Sequence, residues 1–150
     1  MSVTGLDRAR KPAYRRPSLV GLVVLGGAVG TGLRDSLETA FATPPGQLPW
    51  TTFGINVSGA FLLGLLLELL ALVGPEGGRR RALQLALGTG LLGGYTTYST
   101  FVLETVGLGR GSVLLAACYD VASLVAGFAA AFLAMNTTRL VVRRLGGDQG

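Results

Sequence analysis

Histidine is absent from the 150 residues, lysine occurs once, at Lys11, and cysteine once, at Cys118. Without imidazole the chain lacks the commonest general base, the commonest metal ligand and the side chain that changes charge near neutral pH. One cysteine excludes an intramolecular disulfide and a multi-thiolate metal site, and Cys118, set in an apolar run, reads as a small hydrophobe. Charged residues are also scarce, at 14% against 49% hydrophobic, and the mean hydropathy is +0.53. That balance excludes an ordinary soluble domain. A hydrocarbon core of about 30 Å needs about 20 residues per helix, so about four crossings fit and little is left over. The net charge of +5 is not a nucleic-acid signal, because the arginines sit at the ends of apolar spans, at headgroup depth.

What is present is a series of apolar runs separated by turn-forming residues. Residues 1–17 form a basic tail carrying Arg8, Arg10, Lys11, Arg15 and Arg16, with Pro12 and Pro17 opposing a continuous helix. Span one covers 18–41: residues 18–33 are uncharged, and the helical pattern continues through Leu37, Ala40 and Phe41. With Ala40-Phe41-Ala42 it also has the outline of a signal peptide. Arg34, Asp35 and Glu38 just before the cut are foreign to one, and the glycines fit retained packing, so the segment is expected to stay. The Pro- and Gly-rich residues 43–49 are a loop, 50–73 is span two with Trp50 at interfacial depth, and 74–81 is a second loop. Span three covers 82–106 and span four 111–138, followed by a basic, glycine-rich tail over 139–150. The expected fold class is an all-α membrane protein with four transmembrane helices. An even number of spans puts the N-terminus, the second loop and the C-terminus on one face. That face carries eleven of the thirteen Lys and Arg, against Arg34 and Arg110 on the other, which predicts both termini in the cytoplasm.

Several residues do not belong in a greasy bundle. Span three has Gly88, Gly90, Gly93 and Gly94, then Tyr95-Thr96-Thr97-Tyr98-Ser99-Thr100-Phe101. Gly93 to Thr97 falls near the bilayer midplane, where adjacent glycines weaken a helix, so the third helix is expected to break there. Freed backbone groups cost several kcal/mol each in lipid, so such a break must face protein, water or an ion. Tyr98 and Phe101, at i,i+3, are expected to stack beside it, with Ser99 and Thr100 pointing elsewhere. Asn56 in span two fits an interhelical hydrogen bond or a ligand role. Tyr119 and Ser123, with Gly127 a turn on, read equally as packing or as a polar track along span four. Asp120 must find water or a partner. Gly26 and Gly30 have the GxxxG spacing of close helix packing. Arg34 reads either as a snorkelling residue paired with Glu38 or as a ligand, and Glu68 and Glu104 as interfacial.

Gly26-Gly27-Ala28-Val29-Gly30-Thr31-Gly32-Leu33-Arg34, Thr52-Phe53-Gly54-Ile55-Asn56-Val57-Ser58-Gly59 and Gly93-Gly94-Tyr95-Thr96-Thr97-Tyr98-Ser99-Thr100-Phe101 resemble the Fluc (CrcB) fluoride channels, in order and spacing, over about 18–138. The resemblance implies a four-helix subunit of the bacterial inner membrane that dimerises antiparallel, exports fluoride passively and holds a central structural Na+. It implies that the carbonyls of Gly93 and Thr96 bind that sodium. It also implies that Tyr98 and Phe101 line the anion path with positive ring edges, that Asn56, Ser99, Thr100, Tyr119 and Ser123 supply donors, and that Arg34 holds anions in a vestibule. Two departures stand out. Tyr98 occupies a position where the family pattern has phenylalanine. The lopsided arginines fix one orientation, whereas self-sufficient members have little bias, so the chain is expected as a homodimer or as one half of a heterodimer with an oppositely oriented paralogue. A non-conducting subunit is the nearest alternative. A small proton-coupled multidrug transporter is disfavoured because 18–33 lacks the acid that class carries in its first helix, and an enzyme because no catalytic set is visible.

Overall fold

The computed structural model describes residues 16–72 and 77–146, with side chains through Arg144. The N-terminal basic tail up to residue 15, residues 73–76 of span two and the second loop, and residues 147–150 lie outside the described residues. Every described element is helical.

α1 (Pro17–Ala40) opens on a proline, whose missing N–H is no loss in a first helical turn, and closes with the Phe41 amide donating to the Leu37 carbonyl. The following loop turns at Gly46, whose φ of 82° suits glycine alone. It is tied across its ends by Thr51 Oγ1, which donates to the Phe41 carbonyl at 2.6 Å. α2 (Trp50–Leu72) follows. The third crossing comes in pieces: α3 (Gly78–Leu83), a π-helical stretch Gln84–Leu92, one turn of α4 (Gly93–Tyr95), a non-helical step at residues 96–98, and α5 (Ser99–Gly109). Ser112 then caps α6 (Val113–Gly146), its hydroxyl accepting the Leu115 amide at 3.2 Å.

α1, α2 and α6 are each long and apolar enough to cross a membrane. The segmented third crossing completes the four-helix subunit. Its interruption falls at residues 96–98, at the far end of the expected window, and the π-helical stretch before it had no counterpart in the sequence reading. α6 also outruns its expected end at 138: it continues through Arg139, because Glu68 of α2 meets that charge with a bidentate pair at 2.7 and 3.0 Å.

Glycines set the packing. A Cβ on Gly30 would land on the Leu91 carbonyl oxygen, one on Gly26 on the Ala86 carbonyl oxygen, and one on Gly94 on the Gly27 carbonyl oxygen. α1 and the third crossing therefore touch backbone to backbone, and the expected close packing at Gly26 and Gly30 is present. Gly64 plays the same part between α2 and α6, where a Cβ would come within 2.6 Å of the Ala131 carbonyl oxygen. Contacts advance together along α2 and α6, from Pro49 with Tyr119 through Ala60 with Gly127 to Glu68 with Arg139, so the two helices run in the same direction. Large side chains such as Val24, Leu25, Phe128 and Phe132 point outward, and Cys118 is exposed among them. That is the inside-out pattern of a chain solvated by lipid.

Candidate ion pathway

The break in the third crossing is held by side chains. Thr96 directs both its amide (3.0 Å) and its hydroxyl (2.9 Å) to the Leu92 carbonyl, then turns to ψ 155°, which ends the helix. Asn56 grips the next residue from both sides: its Nδ2 donates to the Thr97 carbonyl at 3.0 Å and its Oδ1 accepts the Thr97 amide at 2.9 Å. The Thr97 hydroxyl accepts the Thr100 amide at 3.2 Å and so satisfies a first-turn donor of α5 from outside the helix. It also meets the hydroxyls of Thr100 (3.1 Å) and Ser99 (3.3 Å).

This arrangement strips two carbonyls of their helical donors. The Thr97 amide would serve Gly93 in an unbroken helix and serves Asn56 instead; the Thr100 amide would serve Thr96 and serves the Thr97 hydroxyl. Neither the Gly93 nor the Thr96 carbonyl receives a hydrogen bond among the described residues.

Both residues line a cleft of about 560 Å³ between α2, the break and α6. Asn56, Thr97, Tyr98, Phe101 and Ser123 line it at one end, and Leu67, Ala131 and Met135 at the other. The Ser123 hydroxyl is buried, one turn along α6 from Tyr119. Three rings form a ladder beside it. Tyr98 and Phe101 are 6.3 Å apart between centroids at 33°, and Phe101 and Tyr119 are 5.5 Å apart at 31°. The ladder is graded: Tyr98 is 79% exposed at the cleft, while Tyr119 is buried, its hydroxyl 3.5 Å from the Pro49 carbonyl.

The structure thus brings Asn56, Gly93, Thr96, Tyr98, Phe101 and Ser123 onto one surface. Tyr119 stands behind Phe101, and the hydroxyls of Ser99 and Thr100 are turned to Thr97. Arg34 lies away from the cleft, and its expected partner does not engage it: Arg34 Nε and Glu38 Oε1 are both buried without partners. Asp120 finds the partner it required in Thr105, whose hydroxyl donates to it at 2.6 Å.

The two carboxylates read as interfacial are each tied between helices. Glu68 is buried against Arg139, and Glu104 accepts from the buried Thr52 hydroxyl at 2.9 Å. Thr52 lies one turn before Asn56, and Glu104 one turn after Phe101. Extending those two rows by a turn would have found the pair. Among the described residues no three His, Cys, Asp or Glu side chains gather where they would hold a metal.

The chain matches the family model described as CrcB-like protein, Camphor Resistance (CrcB), over residues 21–135. It is 44% identical over 129 residues to the Fluoride-specific ion channel FluC 1 of Cutibacterium acnes, an alignment covering 85% of this chain and 90% of that one. It is 46% identical over 127 residues to the Fluoride-specific ion channel FluC 2 of Leifsonia xyli subsp. xyli, covering 85% and 87%. With the Fluoride-specific ion channel FluC of Novosphingobium aromaticivorans the identity is 46% over 121 residues, covering 78% and 93%. The chain belongs to the CrcB family of fluoride channels, which are transport proteins and not enzymes.

Proposed function

We propose that the chain is a subunit of a fluoride-selective channel that lets fluoride leave the cytoplasm passively. It works as an antiparallel dimer in the bacterial inner membrane, with both termini cytoplasmic as its arginines require. The observation that carries this reading is the cleft itself, where two carbonyls without donors lie beside Asn56, Phe101 and Ser123. Facing acyl chains, each such group would cost several kcal/mol, so the cleft needs protein, water or ions against it. A second, inverted copy meets that need and encloses a path.

The chemistry suits a small, strongly hydrated anion. Asn56 spends one Nδ2 hydrogen on Thr97 and keeps the other, Ser123 adds a hydroxyl, and the ring edges of Tyr98 and Phe101 carry partial positive charge. Such donors replace the water that fluoride sheds. The carbonyls of Gly93 and Thr96 fit a structural Na+: one copy offers two oxygens, too few for a dehydrated ion, and two crossing breaks offer four. The bound ion would supply positive charge at the dimer centre.

A second reading, that the chain is one specialised half of a heterodimer, is favoured by the arginine bias and by Tyr98, whose exposed ring adds a hydroxyl at the cleft. Fluoride efflux from liposomes containing the purified chain, alone and with an oppositely biased paralogue, tests both. Efflux by the chain alone supports the homodimer, and efflux only with the paralogue supports the heterodimer. Silence in both arms overturns the channel, while flux driven by an imposed proton gradient indicates the transporter class instead.

A further inference from the structure

The α2 and α6 walls of the cleft end together. On α6 the lining row Ser123, Gly127, Ala131 and Met135 advances one turn at a time, and Arg139 is the next step. On α2 the lining reaches Leu67, and Glu68 is the next residue. The bidentate bridge between Glu68 and Arg139 therefore spans the arginine-rich end of the cleft. Glu68 is buried there, with 8% of its side chain exposed, while 49% of the Arg139 side chain is exposed. The carboxylate grips the guanidinium by Nε and Nη2 only. Among the described residues, both Nη1 hydrogens and the second Nη2 hydrogen find no acceptor, and a guanidinium held along one edge presents the other as a fixed fork for an anion. Arg143, one turn further on and exposed, has no carboxylate partner among the described residues, so these three side chains together carry net positive charge.

We propose that Arg139, fixed by Glu68 across the arginine-rich end of the cleft, is an anion-docking residue that gathers fluoride at that mouth. The proposal rests on the channel reading and adds an entrance site distinct from the donors around Asn56. A purely structural bridge would only fasten α2 to α6, and charge-neutralising changes on either side would then do similar harm. A docking site behaves otherwise. Arg139→Gln removes the attracting charge, whereas Glu68→Gln removes its competitor and leaves the guanidinium free, so only the first variant weakens fluoride docking.

The test is the fluoride-concentration dependence of flux through the full chain in its conducting assembly, in planar bilayers of neutral lipid at low ionic strength. A unit charge about 5 Å from an ion in water is worth about a three- to fivefold change in local concentration. Arg139→Gln is expected to raise the half-saturating fluoride concentration by about that factor, Glu68→Gln to lower it or leave it at the wild-type value, and molar salt to abolish the differences. The elution position of the purified dimer and its thermal midpoint report folding separately. If Arg139→Gln does not fold, Arg139→Lys replaces it: the charge is retained without the fork, and a rise in half-saturation again supports the site. Both charge-neutralised variants raising half-saturation alike, or an unchanged titration in Arg139→Gln or its replacement, overturns the docking role while leaving the channel intact. A wild-type assembly that passes no fluoride overturns the channel reading, and the mouth site with it.

Discussion

Replacing Asn56 by alanine removes both hydrogen bonds that hold Thr97 out of the helix, at 3.0 and 2.9 Å. Side-chain hydrogen bonds between transmembrane helices contribute about 0.6 kcal/mol on average and about 1.7 at most. Two of them, with an amide and a carbonyl of one buried residue left bare, set the expected loss at about 1 to 3.5 kcal/mol. At about 1.4 kcal/mol per factor of ten, the Thr97 amide should exchange with deuterium roughly five- to several-hundredfold faster. Asn56→Asp keeps the acceptor for the Thr97 amide but turns an oxygen toward the Thr97 carbonyl, so it should be at least as disruptive as alanine. Site-resolved hydrogen exchange in detergent, read beside the thermal midpoint and fluoride efflux, measures this directly. Unchanged protection at Thr97 together with an unchanged midpoint in Asn56→Ala would refute the claim that Asn56 holds the break open.

Gly30→Ala places a methyl on the Leu91 carbonyl oxygen and should cost about 1 to 3 kcal/mol as overpacking, whereas Gly32→Ala, with nothing within 4 Å of the added carbon, should leave the melting midpoint nearly unchanged. Thr97→Val removes the hydroxyl that accepts the first-turn Thr100 amide of α5 and should cost about 1 kcal/mol in the same assay, with Thr97→Ser close to wild type. Tyr98→Phe keeps the ring contact and removes only an exposed hydroxyl, so fluoride efflux should match or exceed that of wild type. Phe101→Ile breaks the ladder on both sides and should slow efflux by about tenfold, the equivalent of about 1.4 kcal/mol of lost ring-edge and stacking interaction.

The number of crossings and the interruption of the third were legible because both rest on local composition: apolar length, and glycines followed by hydroxyls. The position of the interruption was less so. Gly93 and Gly94 invite unwinding, yet Gly94 remains helical because its bare backbone packs on Gly27 of α1. The chain lets go only where Asn56, 41 residues away, captures Thr97. The π-helical stretch Gln84–Leu92 left no mark on the pattern of apolar residues; it lies where Gly26 and Gly30 bring α1 onto the backbone. Long-range pairs were illegible for the same reason. Nothing near Arg139 announces that Glu68, 71 residues earlier, supplies its counter-charge, and a charge that looks like the start of a tail is therefore part of a helix. Asn56, Phe101 and Ser123 were found together because each stands out as polar or aromatic in an apolar row, whereas Arg34 and Tyr119 stood out equally and lie off the cleft.

The central claim is that a broken helix and an aromatic ladder build a path for one small anion. Anion efflux from liposomes containing the wild-type assembly, recorded with fluoride and with chloride as the trapped ion, tests it most directly. Rapid fluoride efflux with chloride retained is the expected result, and equal release of both ions, or release of neither, would contradict such a path.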